Sequence, residues 1–260
     1  MIKQVLACAL AEVFATAGRS REALPGLRVL AYHAVGTSLD ARLDPLSIYS
    51  MDPRLFERHV AHLAQSSFCS VVDFSGVVYP AEGLHVAITF DDGYRDNLYA
   101  AGPVLKKYRM PFTVFVTTSF VESGSPIYMN RKELRDLAMF PGATIGSHGV
   151  SHAPMAECTA RRLREELVGS KRFLEDVTGK PVTCLSYPHG SANRMVRDAA
   201  AEAGYSHGGC LYFPVNRSGR DPLLLGRSII KSCDTERVFH QKLHGDWDWY
   251  GWIKKDPARP

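Results

Sequence analysis

At 260 residues the chain fits one large domain, and a hydrophobic share of 45% against 22% charged lets it bury a sizeable core. Lys and Arg number 31 against 27 Asp and Glu, for a net charge of +4. The basic residues are spread along the chain rather than gathered into a stripe, which leaves nucleic acid out of the expected partners. Internal repeats and low-complexity tracts are absent from the sequence.

Residues 1–18 carry an apolar run from Val5 to Ala11 that Glu12 interrupts. It is too short to span a bilayer and reads as a short amphipathic helix rather than a secretion signal. With a Gly/Arg/Ser-rich break after it, 1–26 reads as helix plus linker. Residues 27–33 form a first strand ending on His33. Asp52-Pro53 is an N-cap and first-turn pair for a helix with Leu55, Phe56, Val60 and Leu63 on one face, leaving His59 and His62 solvated. Strands follow at 68–74 and 86–90, separated by a turn at 79–83. A helix at 97–108, kinked at Gly102-Pro103, leads to a strand at 111–116. The β-α-β-α-β order argues for a parallel sheet.

Further on come a loop at 123–126, a helix at 130–139 with Leu134 and Leu137 inward, and a short strand at 143–146. A long charged helix at 157–177, closed by Gly179 and Pro181, buries Leu163, Leu167, Phe173 and Leu174 and keeps its arginines as a solvated face. Next are a strand at 182–186, a helix at 194–203 capped by Gly204, and closing strands at 212–215 and 223–230. The tail at 246–260 holds Trp247 and Trp249, expected to cover the end of the fold. Cys8, Cys69, Cys158, Cys184, Cys210 and Cys233 form no Cys-x-x-Cys pair and read as mostly buried thiols. Their reduced state favours a cytoplasmic or membrane-peripheral location over secretion.

Chemistry concentrates at strand ends. Ala87-Ile88-Thr89-Phe90 stops on Asp91-Asp92-Gly93, and adjacent carboxylates repel unless a cation or a hydrogen-bond shell accounts for them. His148 and His152 stand four residues apart after the 143–146 strand, so both imidazoles can face one point. Two imidazoles and a carboxylate are a common catalytic arrangement for zinc and similar divalent ions. Alone, the first stretch reads equally as an Asp-Gly turn and the second as surface or core histidines; together they reinforce one another. Tyr187-Pro188-His189-Gly190 ends a third strand, and His33 a fourth, implying one shared face. His207, His240 and His244 have no motif around them.

Thr89-Phe90-Asp91-Asp92-Gly93, Ser147-His148-Gly149-Val150-Ser151-His152 and Tyr187-Pro188-His189-Gly190, in this order, resemble the polysaccharide deacetylase family. This is carbohydrate esterase family four, the nodulation-type chitooligosaccharide deacetylases. The likeness covers 27–230. The strand ending on His33 further resembles the permuted branch, which includes poly-N-acetylglucosamine deacetylases. The resemblance implies an α/β fold, a distorted (β/α) barrel of about seven strands, with 27–245 as a single catalytic domain. It implies a divalent metal, usually zinc, on Asp92, His148 and His152, with Asp91 as general base and His33 as general acid. Tyr187, Pro188, His189 and Gly190 would line the substrate, with an oxyanion donor among the backbone N–H groups near Tyr187. The sequence departs from the family at Ser186, where an arginine is usual, and at His189, where an aromatic is usual; Arg227 is the candidate to supply the missing charge beside Asp91.

The implied activity is removal of an N-acyl group, N-acetyl first, from an amino sugar of a polysaccharide, oligosaccharide or lipid-linked glycan. The alternatives are a deformylase of a lipid-linked N-formyl sugar and a catalytically silent glycan-binding domain of the same fold. The expected partner is an N-acylated glycan, and the apolar N-terminal helix would suit association with a membrane surface.

Overall fold

The computed structural model describes residues 25–37, 45–76, 79, 82–253 and 256–257. The expected N-terminal helix, Cys8 and part of the 79–83 turn lie outside them.

Seven parallel strands close into a barrel. They are β1 (Gly26–Tyr32), β5 (Leu84–Phe90), β6 (Phe112–Val116), β7 (Ala143–Ser147), β8 (Cys184–Ser186), β9 (His207–Cys210) and β10 (Leu225–Ile229). Two short strands, β2 (Ala34–Val35) and β3 (Ser50–Met51), pair with each other, and β4 (Cys69–Val71) extends the barrel outside β5. β1 closes the ring because it pairs on both edges: Val29 sits opposite Ala87 of β5 and opposite Arg227 of β10.

Strand periodicity of two sorts each strand into an inward and an outward set. Leu27, Val29, Ala87, Phe115, Cys184 and Leu225 form one buried cluster with Phe74, the barrel interior. Leu30, Tyr32, Ile88, Phe90 and Val114 face the helices and join the larger cluster. One inward step beyond Ala87 and Thr89 is Asp91, so the same alternation carries its carboxylate to the rim.

The helices begin where the caps direct. Asp52 accepts from Arg54 and Leu55 N–H at 2.8 and 3.0 Å to start α1 (Pro53–Gln65). Asn97–Ala101 is a π turn running into α2 (Gly102–Lys107), the break expected at Gly102-Pro103. α3 (Thr118–Val121) is one turn, and α4 (Arg131–Ala138) opens on a capping box between Asn130 and Glu133. α5 (Ala160–Arg164) passes through a π turn, Glu165–Gly169, into α6 (Ser170–Thr178); α7 (Arg194–Glu202) and α8 (Glu236–His244) complete the set. Among the described residues no helix is long and apolar enough to cross a membrane.

Several expectations are corrected. The ninth strand is His207–Cys210, not 212–215. Glycine is a poor strand former, yet a Cβ on Gly209 would lie 2.6 Å from the Arg227 stem, and one on Gly208 would run into the Leu223 carbonyl oxygen and lie 2.8 Å from the Tyr187 hydroxyl, so neighbours from elsewhere in the sequence dictate both glycines. The charged helix starts only at Ala160, after the Thr159 cap, and Phe173 is half-buried. His59 is buried, not solvated: its Nδ1 lies 3.2 Å from the Tyr32 hydroxyl and its ring stacks on Phe239 at 3.9 Å. His62 is half-buried against His240. Of the described cysteines only Cys184 and Cys210 are buried, with Cys233 exposed. Trp247 packs with Phe213 and Ile229, and Asp248 pairs with Arg28 at 2.7 Å.

Candidate active site

The carboxyl ends of β1, β5, β7 and β8 meet on one face, and β10 contributes from within the barrel. Asp91 and Asp92 follow β5. The backbone turns sharply there, with φ 72° at Asp92 and 80° at Gly93, which sends the two adjacent carboxylates to different partners. Asp92, His152 and His189 are three of the four non-glycine residues with positive φ among the described residues. Such backbone costs of order 1–3 kcal/mol at each position and collects where a site demands it.

Asp92 Oδ1 lies 3.6 Å from His148 Nε2 and 3.3 Å from His152 Nε2. These three ligand atoms all fall within 4.8 Å of one another. His148 Nδ1 is 2.8 Å from the Ser186 carbonyl. A carbonyl only accepts, so Nδ1 carries the proton and Nε2 turns a lone pair toward Asp92. Burial lowers His148 to about 3 and lowers His152 as well, with His189 adding to the second shift; both imidazoles are neutral near pH 7. Asp92 Oδ1 is buried and lacks a hydrogen-bond partner among the described residues. Burial, and then the charge of Asp91, push its carboxyl up to about 8. A buried carboxyl oxygen facing two imidazole lone pairs fits a divalent cation, whose charge would hold Asp92 ionised. The set does not select among metals.

Asp91 is governed by a different partner. Arg227 grips it with two bonds, Nη1 to Oδ1 and Nη2 to Oδ2, each 2.8 Å. Nη2 also donates to the Ser186 hydroxyl at 2.6 Å. Burial alone would raise the Asp91 carboxyl; Arg227, by charge and hydrogen bonds, and His148 outweigh it and hold the group well below the usual carboxylate range. Asp91 Oδ2 stands 3.9 Å from His148 Nε2, at the edge of the ligand cluster. The expectation that Arg227 supplies the charge missing at 186 is met.

His33 follows β1, with its ring stacked on Tyr49 at 4.5 Å and its carbonyl accepting from Asn97 at 2.7 Å. Its Nδ1 is buried without a partner among the described residues, and burial lowers it to about 4. His189 meets His152 ring to ring at 4.5 Å. Tyr187 turns away from the rim: its N–H donates to the Gly209 carbonyl at 2.9 Å and its hydroxyl to the Leu223 carbonyl at 2.9 Å, with the side chain fully buried. Pro188 has no N–H, and that of Gly190 is taken by the Tyr187 carbonyl at 2.8 Å.

Sequence reasoning missed Glu166, whose carboxylate holds the loop between the two histidines. The signal was present: Glu166 stands three residues after Leu163 and four before Ser170, on the buried stripe of its helix. Tyr49 and Asn97 sat in stretches with no motif.

Residues 79–208, half of the chain, match the family described as polysaccharide deacetylase. YxkH of Bacillus subtilis is 28% identical over 188 residues, covering 70% of this chain and 63% of that protein. The chain spans less than two thirds of the length of each curated relative it matches. Streptococcus pyogenes deacetylase PplD, solved in complex with acetate, has a TM-score of 0.73 at 22% identity over 85% of this chain and 99% of that one. IcaB from Ammonifex degensii has a TM-score of 0.70 at 22% identity over 85% and 98% of the two chains. At these identities the structural likeness establishes a shared fold.

Proposed function

The chain belongs to the polysaccharide deacetylase family, and from that premise we propose that it is a metal-dependent hydrolase removing an N-acyl group, N-acetyl in the first instance, from an amino sugar of a glycan. One observation carries the reading: an orphaned carboxylate oxygen and two neutral imidazoles converge beside a second carboxylate that has its own cation. Asp92, His148 and His152 would hold the metal. When bound, a divalent ion there polarises an amide carbonyl and acidifies water enough for attack near neutral pH.

The two neighbouring aspartates divide the work because their surroundings differ. Asp91 stays ionised through Arg227 and would take the proton from the attacking water. The guanidinium uses one lone pair on each Asp91 oxygen and fixes the carboxylate plane, leaving the other pairs free to accept. Within 187–190 the N–H of His189, without a partner among the described residues, would be the donor for the oxyanion, presented by left-handed backbone at φ 58°. His33 would donate to the departing amine. Buried and neutral at rest, it must gain a proton during turnover, and its lowered pKa then makes it a strong acid. β1 lies between β5 and β10, which supports a first-strand histidine serving this face, the order of the permuted branch.

The test is metal content together with acetate or formate release from N-acetylglucosamine oligomers, polymers and lipid-linked N-acyl sugars, with and without chelator. Chelator-sensitive acetate release is expected. Formate release confined to a lipid-linked N-formyl sugar would move the assignment to a deformylase. Bound metal with no release across the panel would refute hydrolysis and leave the silent glycan-binding reading.

A further inference from the structure

His148 and His152 stand at the two ends of one short loop, and the groups in its middle are held from both sides. The carbonyls of Gly149 and Val150 accept from Thr118 and Ser119 N–H at 3.1 and 2.9 Å. On the other side, the N–H groups of Val150 and Ser151 both donate to Glu166 Oε2, at 2.6 and 2.9 Å, and the Ser151 hydroxyl donates to Oε1 at 2.5 Å. The Gly149 N–H donates at 3.1 Å to Ser147 Oγ, which lies 2.7 Å from Ser170 Oγ. Glu166 is fully buried and sits in the π turn Glu165–Gly169, a local widening of the helix of the kind found at functional sites. Arg162 Nη2, 2.8 Å from Oε1, supplies the opposing charge from the helix surface.

The loop is shaped to this carboxylate. A Cβ on Gly149 would fall 2.9 Å from Glu166 Oε2, at a φ of +77° that already favours glycine. Three donors converge on Glu166 from residues 150 and 151, which calls for an acceptor-only group with two oxygens. Immediately after them comes His152, held at φ 61°, a conformation that a free loop would relax.

We propose that Glu166 is a positioning residue that sets the metal affinity of the site: by fixing the 149–151 backbone it holds His152 in its left-handed conformation with Nε2 turned toward Asp92. This rests on the reading of Asp92, His148 and His152 as metal ligands. Partners that orient a ligand change affinity by about 10–100-fold when removed.

The experiment is calorimetric titration of zinc ion into the chelator-stripped full chain, wild type against Glu166→Ala and Glu166→Gln, with thermal unfolding of each metal-free protein alongside. The expected result is a zinc Kd raised by about 10–100-fold in Glu166→Ala. Glu166→Gln, isosteric and keeping one acceptor oxygen, should lose less, yet more than about threefold. A purely structural role would lower the metal-free unfolding temperature and leave Kd within about twofold of wild type, which overturns the proposal. If the alanine chain does not fold, the glutamine variant decides by the same criterion. Failure of the wild-type chain to take up zinc would overturn the metal reading and this inference together, whereas wild-type uptake with unaltered variants overturns this inference alone.

Discussion

Removing Arg227 probes the charge balance on which the two aspartates depend. The guanidinium is 1% exposed, bonded at 2.8 Å to each oxygen of Asp91 and at 2.6 Å to Ser186 Oγ. Arg227→Met keeps most of the stem that packs past Gly209 and leaves a buried carboxylate beside Asp92 without its cation. Taking one partner from a buried pair costs about 3–5 kcal/mol. At about 2–4 °C per kcal/mol for a chain of this size, Tm should fall by roughly 10 °C. The pH dependence has a definite sign. In the wild type Asp91 is depressed in the folded state, so its contribution is present above the unfolded value of about 3.9 and is lost only as pH falls through the lower folded value. In the variant, burial no longer opposed by a cation pushes the same carboxyl upward, so acidification protonates it and restores stability relative to the wild type. Urea unfolding of both proteins from about pH 8 to 5, with chelator, should show the gap narrowing toward acid. Adding Asp91→Asn to Arg227→Met should recover much of the loss. A cost below about 1 kcal/mol at pH 8, or a gap that does not change with pH, would refute the reasoning.

Asp91→Asn should lower kcat by about 10²–10⁴ with metal stoichiometry unchanged; turnover near the wild-type rate would take the base role away from Asp91. His148→Ala should lose both metal and activity, and retained metal affinity would remove it from the ligand set. His33→Ala should reduce kcat without loss of metal, whereas unchanged activity would move the acid elsewhere. For His59, lowered to about 3 by burial and then by His240, the stability contribution is present above its unfolded value of about 6.5 and drains away as pH falls from there toward 3. Unfolding free energies from pH 7.5 to 4.5 should therefore fall less steeply in His59→Gln, by up to about 1.4 kcal/mol per pH unit; parallel curves would contradict the burial argument.

Legibility followed local pattern. β5, β6 and β7 read directly because apolar and β-branched runs stop on Asp91, Thr117 and His148, and α1 and α4 read from Asp52-Pro53 and Asn130 with Glu133. β9 did not, because its residues answer to Arg227 and Tyr187, which lie elsewhere in the sequence. His59 looked solvated for a similar reason: its cover, Tyr32 and Phe239, comes from the two ends of the chain. Glu166 was passed over because its charge hides its place on the buried stripe: Leu163 and Ser170, three residues before it and four after, are buried with it.

The chemistry at the rim depends on barrel closure as much as on motifs. Asp91, Asp92, His148, His152 and His189 all fall inside the 79–208 segment that matches the family, at strand ends where a motif reader would look. His33, just after β1, and Arg227, on β10, fall outside it, and these are the strands that close the ring onto β5. Val29 opposite both Ala87 and Arg227 fixes the register that brings residue 227 within reach of residue 91. Arg227 then reaches the rim from mid-strand only because its stem is long and Gly209 leaves it room. An arginine at 186 would approach Asp91 from β8; here Ser186 keeps a hydroxyl at that place and accepts from the arginine that arrives from β10. The guanidinium is therefore a demand of the carboxylate, and any inward position of the barrel whose register and cavity allow the reach can meet it.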